Sequence, residues 1–249
     1  MTLKRLGLFA GLAIAALMIF AMFGMNGRKL VAEDTFSDPQ SIALANAMME
    51  GDVEEMDRLV SEGADPNGTG RDGMTLLEWE ILREGHTGFR ELLRLGADPT
   101  AIGWGGETAM HIAAMYSNPI YLKALIAKGV PVDVVDGKME RTPLFSALMS
   151  NRQDNIDFLL EHGASLAFAD RNGETPLHVA AAINDFHNTL RFLQLGADPL
   201  AENRLGSTFQ RGIFKSRPDL LNVSAKADRD RIVAFLWERN IPLDPTAER

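Results

Sequence analysis

The 249-residue chain contains no cysteine. That excludes disulfides, thiolate metal sites and a lipoprotein attachment cysteine. An absence of thiols also suits an envelope location. Positive charge is the second scarcity: 25 Lys and Arg stand against 34 Asp and Glu. Residues 1–29 hold four of the basic residues and no acid, which leaves 21 against 34 in the rest, a net of −13. A body so acidic argues against nucleic acid, and against anionic lipid held by a basic patch. It is compatible with a basic protein partner or with simple solubility.

Catalytic motifs are also missing. There is no G-x-S-x-G elbow, no H-E-x-x-H helix and no G-x-x-x-x-G-K-[ST] phosphate loop. Of five histidines, His86, His162 and His187 fall near helix ends or in loops, where solvated surface is the default. No spacing calls for a metal or a cofactor, and a hydrolase with an unrecognised site is the least favoured reading.

What the chain does have is a period. Thr75, Thr108, Thr142, Thr175 and Thr208 follow one another at 33, 34, 33 and 33 residues. Gly63, Gly96, Gly129, Gly163 and Gly196 keep the same beat at 33, 33, 34 and 33. Two independent markers in one register imply stacked units, because a single globular core needs no such register. Threonine at a helix start can satisfy free N–H groups, and proline in the first turn loses nothing by lacking a donor. Paired alanines let two helices of a unit approach closely. The glycine after Leu92-Leu93 or Leu159-Leu160 ends a helix at positive φ.

Thr175-Pro176-Leu177-His178-Val179-Ala180-Ala181 resembles the ankyrin signature throughout, and Thr108 to Ala114 keeps all but its Pro-Leu. Thr142-Pro143-Leu144 keeps the first three positions. Gly63-Ala64-Asp65-Pro66-Asn67 and its copies at 96 and 196 are similar to the turn between ankyrin units. The resemblance covers about 38–209 and implies an all-α ankyrin-repeat solenoid of helix-turn-helix units with projecting turns. It also implies that His111 and His178 are structural, bonding the neighbouring turn.

Ahead of the repeats, Lys4 and Arg5 precede an uncharged apolar run of 20 residues from Leu6 to Met25. At 1.5 Å per residue such a run reaches about 30 Å, the thickness of a bilayer's hydrocarbon core. Bulky residues in Ala21-Met22-Phe23-Gly24-Met25 spoil a small-x-small cleavage site, so an uncleaved signal anchor is favoured over a cleaved signal peptide. The expected organisation is a signal anchor or signal peptide over 1–29, a linker over 30–38, and about six repeats over 39–249, the last with an insertion. The positive-inside rule leaves the amino terminus in the cytoplasm and the repeats outside. In a Gram-negative bacterium this means an inner-membrane anchor, or secretion if the signal is cleaved, with the repeats in the periplasm.

In the ankyrin family, first helices and projecting turns usually hold the ligand. The position after the alanine pair falls at Met49, Leu82, Met115, Met149 and Ala182, followed by Glu50, Arg83, Tyr116, Ser150 and Ile183. The column is mostly apolar, with three methionines, and an exposed apolar stripe marks a protein contact. The alternative is that it packs inward between helices. Trp104 sits among glycines at a turn tip, and Arg71, Lys138, Met139 and Arg171 occupy corresponding tips. Trp79 is expected in the core, and Trp237 is expected to pack the last helix.

Small exported ankyrin proteins resemble immunity proteins against type VI secretion effectors, notably periplasmic phospholipases. The resemblance implies a non-catalytic binder, a monomer when free, that covers a secreted, lipase-like toxin. An envelope scaffold or stress-protection adaptor is the alternative.

Overall fold

The computed structural model describes residues 31–215, 219 and 221–244. A short helix α1 (Ala32–Thr35) leads into five helix pairs. These are α2 (Pro39–Glu50) with α3 (Val53–Ser61), α4 (Leu76–Leu82) with α5 (His86–Arg94), and α6 (Ala109–Met115) with α7 (Ile120–Ala127). Then come α8 (Pro143–Met149) with α9 (Gln153–Glu161), and α10 (Pro176–Ala182) with α11 (Phe186–Gln194). Helices α12 (Gln210–Lys215) and α13 (Val223–Glu238) close the stack. First helices pack on first helices in the order α4, α6, α8, α10, α12, so each repeat touches chiefly its neighbours.

The repeated residues build the repeated joints. Thr75 Oγ1 accepts the N–H of Glu78 at 3.2 Å, while the Glu78 carboxylate accepts the N–H of Thr75 at 2.8 Å. Thr108 and Thr175 form the same reciprocal cap with His111 and His178. The far nitrogen of each histidine then reaches the carbonyl of Arg141 at 2.9 Å or of Ser207 at 3.1 Å, on the next turn. One side chain thus caps its own helix and ties it to the following repeat.

At the other end of each unit the turn glycines lie at φ from 83° to 108°, a region closed to side chains with a Cβ. The next N–H closes back five residues, as from Ala97 to Leu92 and from Ala164 to Leu159. Ile241 closes on Leu236 in the same way behind Asn240, which takes φ 54° in place of a glycine.

Between units the chain forms narrow fingers. Each is closed by one backbone bond, from Gly103 to Glu107 at 2.8 Å, for example, and from Asp136 to Arg141 at 2.9 Å. Successive fingers are joined in turn: Gly137 donates to Gly106, Arg171 to Met139 and Arg204 to Asn172. The core beneath runs as one apolar cluster from Ala32 to Leu236, with Ala113, Ala114, Ala180 and Ala181 buried where helices meet.

Two expectations are corrected. Among the described residues no helix is long and apolar enough to cross a membrane. The longest of them, α13, has 16 residues, and at 1.5 Å each it falls short of a hydrocarbon core of about 30 Å. The apolar run from Leu6 to Met25 lies outside the described residues, and what the described residues form is the all-α repeat solenoid alone. Trp237 does not pack the last helix either, since it is 67% exposed. Helix α13 turns Ile232 and Leu236 inward, and the next residue points about 100° away.

Candidate partner-binding face

The first helices bring the column after the alanine pair into one row. Met49, Leu82, Met115 and Met149 are half-buried and lean on the core with one side. Ala182 is half-buried as well, Glu50 is exposed, and Ile183 is exposed at 37%. The row is therefore neither fully inward nor free; each methionine keeps part of its surface open.

Polar neighbours hold this row in place. The Arg83 guanidinium lies over the Trp79 ring at 4.4 Å and pairs with Glu80 at 2.9 Å. The Tyr116 ring meets Tyr121 edge-on at 5.7 Å. Burial, helped by a hydrogen bond with Glu84, pushes the Tyr116 hydroxyl well above the usual phenol range. Arg152 Nε donates to the Met115 carbonyl at 2.8 Å. The buried Asn155 amide donates to the carbonyls of Ala113, Ala114 and Tyr116 at 3.3, 2.9 and 2.7 Å. Ser150 caps the end of α8 and is half-buried.

The finger tips carry exposed Arg71, Lys138 and Arg171, with Arg171 Nε 3.1 Å from Glu140 Oε1. Met139 is half-buried at the tip between them. Trp104 is half-buried and rests on the core edge. Its backbone N–H donates to Glu78 Oε2 at 3.0 Å, so a fully buried carboxylate fixes this finger.

Three glutamates escaped sequence reasoning, Glu78 and Glu80 fully buried and Glu107 half-buried. Desolvation pushes Glu78 up to about 7 against the bonds it accepts from Thr75 and Trp104. Glu80 is raised to about 7 by burial despite Arg83. Glu107 reaches about 7 through burial first, then the charges of Asp136 and Glu78. The available signal for Glu78 was its place: it stands where His111 and His178 stand in their repeats.

Ligand atoms of Glu107, His111 and Asp136 lie within 4.8 Å of one another, yet the donor set does not fit an ion. One His111 nitrogen is held by Thr108 and the other faces the Arg141 carbonyl. Burial keeps His111 below its usual range, so it is neutral and donates its one proton to that carbonyl. Asp136 accepts the backbone N–H groups of Lys138, Met139, Glu140 and Arg141. Glu107 alone keeps a free oxygen; the lone pairs of His111 and Asp136 that a metal needs are already engaged in the helix cap and the finger.

Comparison with known proteins agrees with this architecture. The model for ankyrin repeats in three copies matches residues 85–170, and the single ankyrin-repeat model matches 172–204. Protein PhlB of Serratia liquefaciens is 34% identical over 185 residues, covering 72% of this chain and 77% of PhlB. The B-cell lymphoma 3 protein homolog of Mus musculus is 27% identical over 149 residues, 58% of this chain but 33% of that protein. Among solved structures, the ankyrin repeat domain of Bcl-3 superposes with a TM-score of 0.65 at 24% identity, covering 89% of this chain and 94% of that one. The threonine caps, bridging histidines and stitched fingers are thus those of the ankyrin-repeat family, to which this chain belongs and whose repeats form protein–protein interaction modules.

Proposed function

We propose that the row of first helices, together with the finger tips, holds a secreted toxin such as a periplasmic phospholipase, and that the chain acts as its immunity protein. The observation that carries this reading is the apolar row of Met49, Leu82, Met115 and Met149, flanked by Tyr116 and Ile183 and left partly open in five successive repeats. Methionine adapts to irregular surfaces, and tyrosine, tryptophan and arginine carry much of the binding energy of protein interfaces. Such a face neutralises an enzyme by covering its active site or its lipid-contacting surface, with no chemistry of its own. The resemblance to exported immunity proteins supplies the choice of partner. A periplasmic place of action belongs to the same proposal and rests on the sequence alone.

The test is capture by the immobilised full chain from secreted and envelope fractions of its source, followed by titration of any captured lipase. Stoichiometric loss of lipase activity, relieved by Met115→Asp with Met149→Asp, is the expected result. Recovery of resident envelope proteins alone would retire the immunity reading in favour of a scaffold.

A further inference from the structure

The row of second helices carries a further feature, which touches the face just described through the ring contact of Tyr121 with Tyr116. Between α5 and α7 runs a groove of about 290 Å³ with a floor of Phe89, Ile120, Tyr121 and Ala124. Its rim carries His86 and the cation Arg90 on one side and the cation Lys123 on the other. All three rim residues are exposed, as is Ile120 at 39%.

The charge pattern of this seam differs from its neighbours. Six residues before each turn glycine the repeats carry Asp57, Arg90, Lys123, Asp157 and Leu190 in order. Arg90 and Lys123 are the one place in that series where like charges fall on adjacent helices. Two other outer seams are closed by opposite charges, Asp57 with Arg94 between α3 and α5, and Asp157 with Arg191 between α9 and α11. Among the described residues neither Arg90 nor Lys123 has an acidic partner. Residues 30–249 carry a net charge of −13, so two free cations at one groove run against the character of the whole surface.

We propose that this groove is a second docking site, for an acidic segment of a protein partner. One apolar side chain of that segment fills the groove, and flanking carboxylates meet Arg90 and Lys123, the guanidinium in its paired-donor geometry. The size favours a single anchoring side chain, since pockets for whole small ligands begin at roughly 300 Å³ and extend to 1,000 Å³. The acidic body disfavours a membrane surface, which would repel the rest of the chain while attracting this patch. An anion between the two cations removes the repulsion that the α3–α5 and α9–α11 seams avoid by pairing.

The experiment titrates the full, ¹⁵N-labelled chain with the peptide acetyl-Asp-Glu-Leu-Glu-Asp-amide and follows backbone resonances. The expected result is movement confined to residues around 86–90 and 120–124, weakening with salt. Arg90→Gln with Lys123→Gln, both at exposed positions, should lower the affinity by about tenfold while leaving the melting temperature unchanged. The neutral peptide acetyl-Asn-Gln-Leu-Gln-Asn-amide and the anchor-free acetyl-Asp-Glu-Gly-Glu-Asp-amide should each bind more weakly than the parent peptide. Absence of shifts at millimolar peptide, equal binding of the neutral peptide, or unchanged affinity of the double variant would overturn the proposal. Phosphatidylglycerol vesicles moving these resonances where the peptide does not would overturn it in favour of a lipid surface. Resonances of Met115 and Met149 report the first-helix row separately, so failure of one site is distinguishable from failure of the other.

Discussion

Arg141 on one finger donates through Nε to Asp170 Oδ2 on the next at 3.0 Å, with both side chains nearly buried. One repeat earlier the same two places are held by Glu107 and Asp136, so a carboxylate faces a carboxylate. Each occupies the equivalent position, 29 residues from its partner. Glu107 Oε2 is buried with no hydrogen-bond partner, whereas every oxygen of Asp136 is engaged by backbone N–H groups. Replacing Glu107 with arginine copies the intact joint into the defective one. Glu107→Arg should raise stability by about 1–2 kcal/mol, since it removes an unpaired buried acceptor and adds a charge-assisted bond. Denaturant titration of both proteins checks this, and a lower midpoint for the variant would refute it.

Glu78, Glu80 and Glu107 make stability depend on pH in a definite direction. Their folded values near 7 lie above the unfolded value of 4.5. Below 4.5 both states hold the protons and the stabilisation is complete; it is lost as pH rises through the window from 4.5 to 7. Each tenfold difference in proton affinity is worth about 1.4 kcal/mol, so each glutamate contributes on the order of 1–3 kcal/mol. The facing groups do not reverse the sign: Glu78 meets backbone N–H groups, Glu80 meets Arg83, and Glu107 meets Asp136 and Glu78 against Lys138 and Arg141. The melting temperature should therefore fall between pH 5 and pH 8, and changing all three to glutamine should flatten the curve. A melting temperature that climbs across this interval would reverse the assignment.

Asn155 ties the end of one first helix to the second helix of the following repeat. Its amide protons serve the carbonyls of Ala113, Ala114 and Tyr116 at the end of α6, where the Ala113 carbonyl also accepts the Tyr116 N–H at 3.2 Å. Asn155→Ala should cost about 2–3 kcal/mol, because a fully buried amide that bonds all three carbonyls is removed. Hydrogen exchange should show the loss concentrated at Ala113 to Tyr116. A uniform loss along the stack would argue for a global packing effect instead.

The contrast between Asn155 and Thr175 shows what the sequence could carry. Thr175 and His178 interact within one turn of helix and recur in register with Thr108 and His111, so period and motif together reveal them. Asn155 works on carbonyls 39 to 42 residues away, and Glu78 on an N–H 26 residues away. Such contacts exist only once repeats are stacked, and no local pattern encodes them. The exposure of Trp237 was illegible for a related reason. Its neighbours Phe235 and Leu236 are equally apolar, and only the docking of α13 on α11 decides which of the three turns inward.

Gly88 and Glu80 offer a test of packing against propensity. Gly88 lies inside α5, where alanine would ordinarily add stability of about 1 kcal/mol. A Cβ at Gly88, however, would stand 2.3 Å from Glu80 Oε1 and 3.0 Å from Met48 Cβ, and one at Gly85 would stand 1.9 Å from the same carboxylate oxygen. The two glycines are the space into which Glu80 folds. Glu80 cannot swing out cheaply, because its side chain is 1% exposed and its other oxygen holds Arg83. Gly88→Ala should thus destabilise the protein by about 1–3 kcal/mol, as overpacking of a filled site does. In the Glu80→Ala background the same change should become neutral or stabilising, since the obstructing carboxylate is gone. A coupling energy of at least about 1 kcal/mol in this double-mutant cycle is the expected outcome. Additive effects would mean that Met48, not Glu80, sets the limit at Gly88.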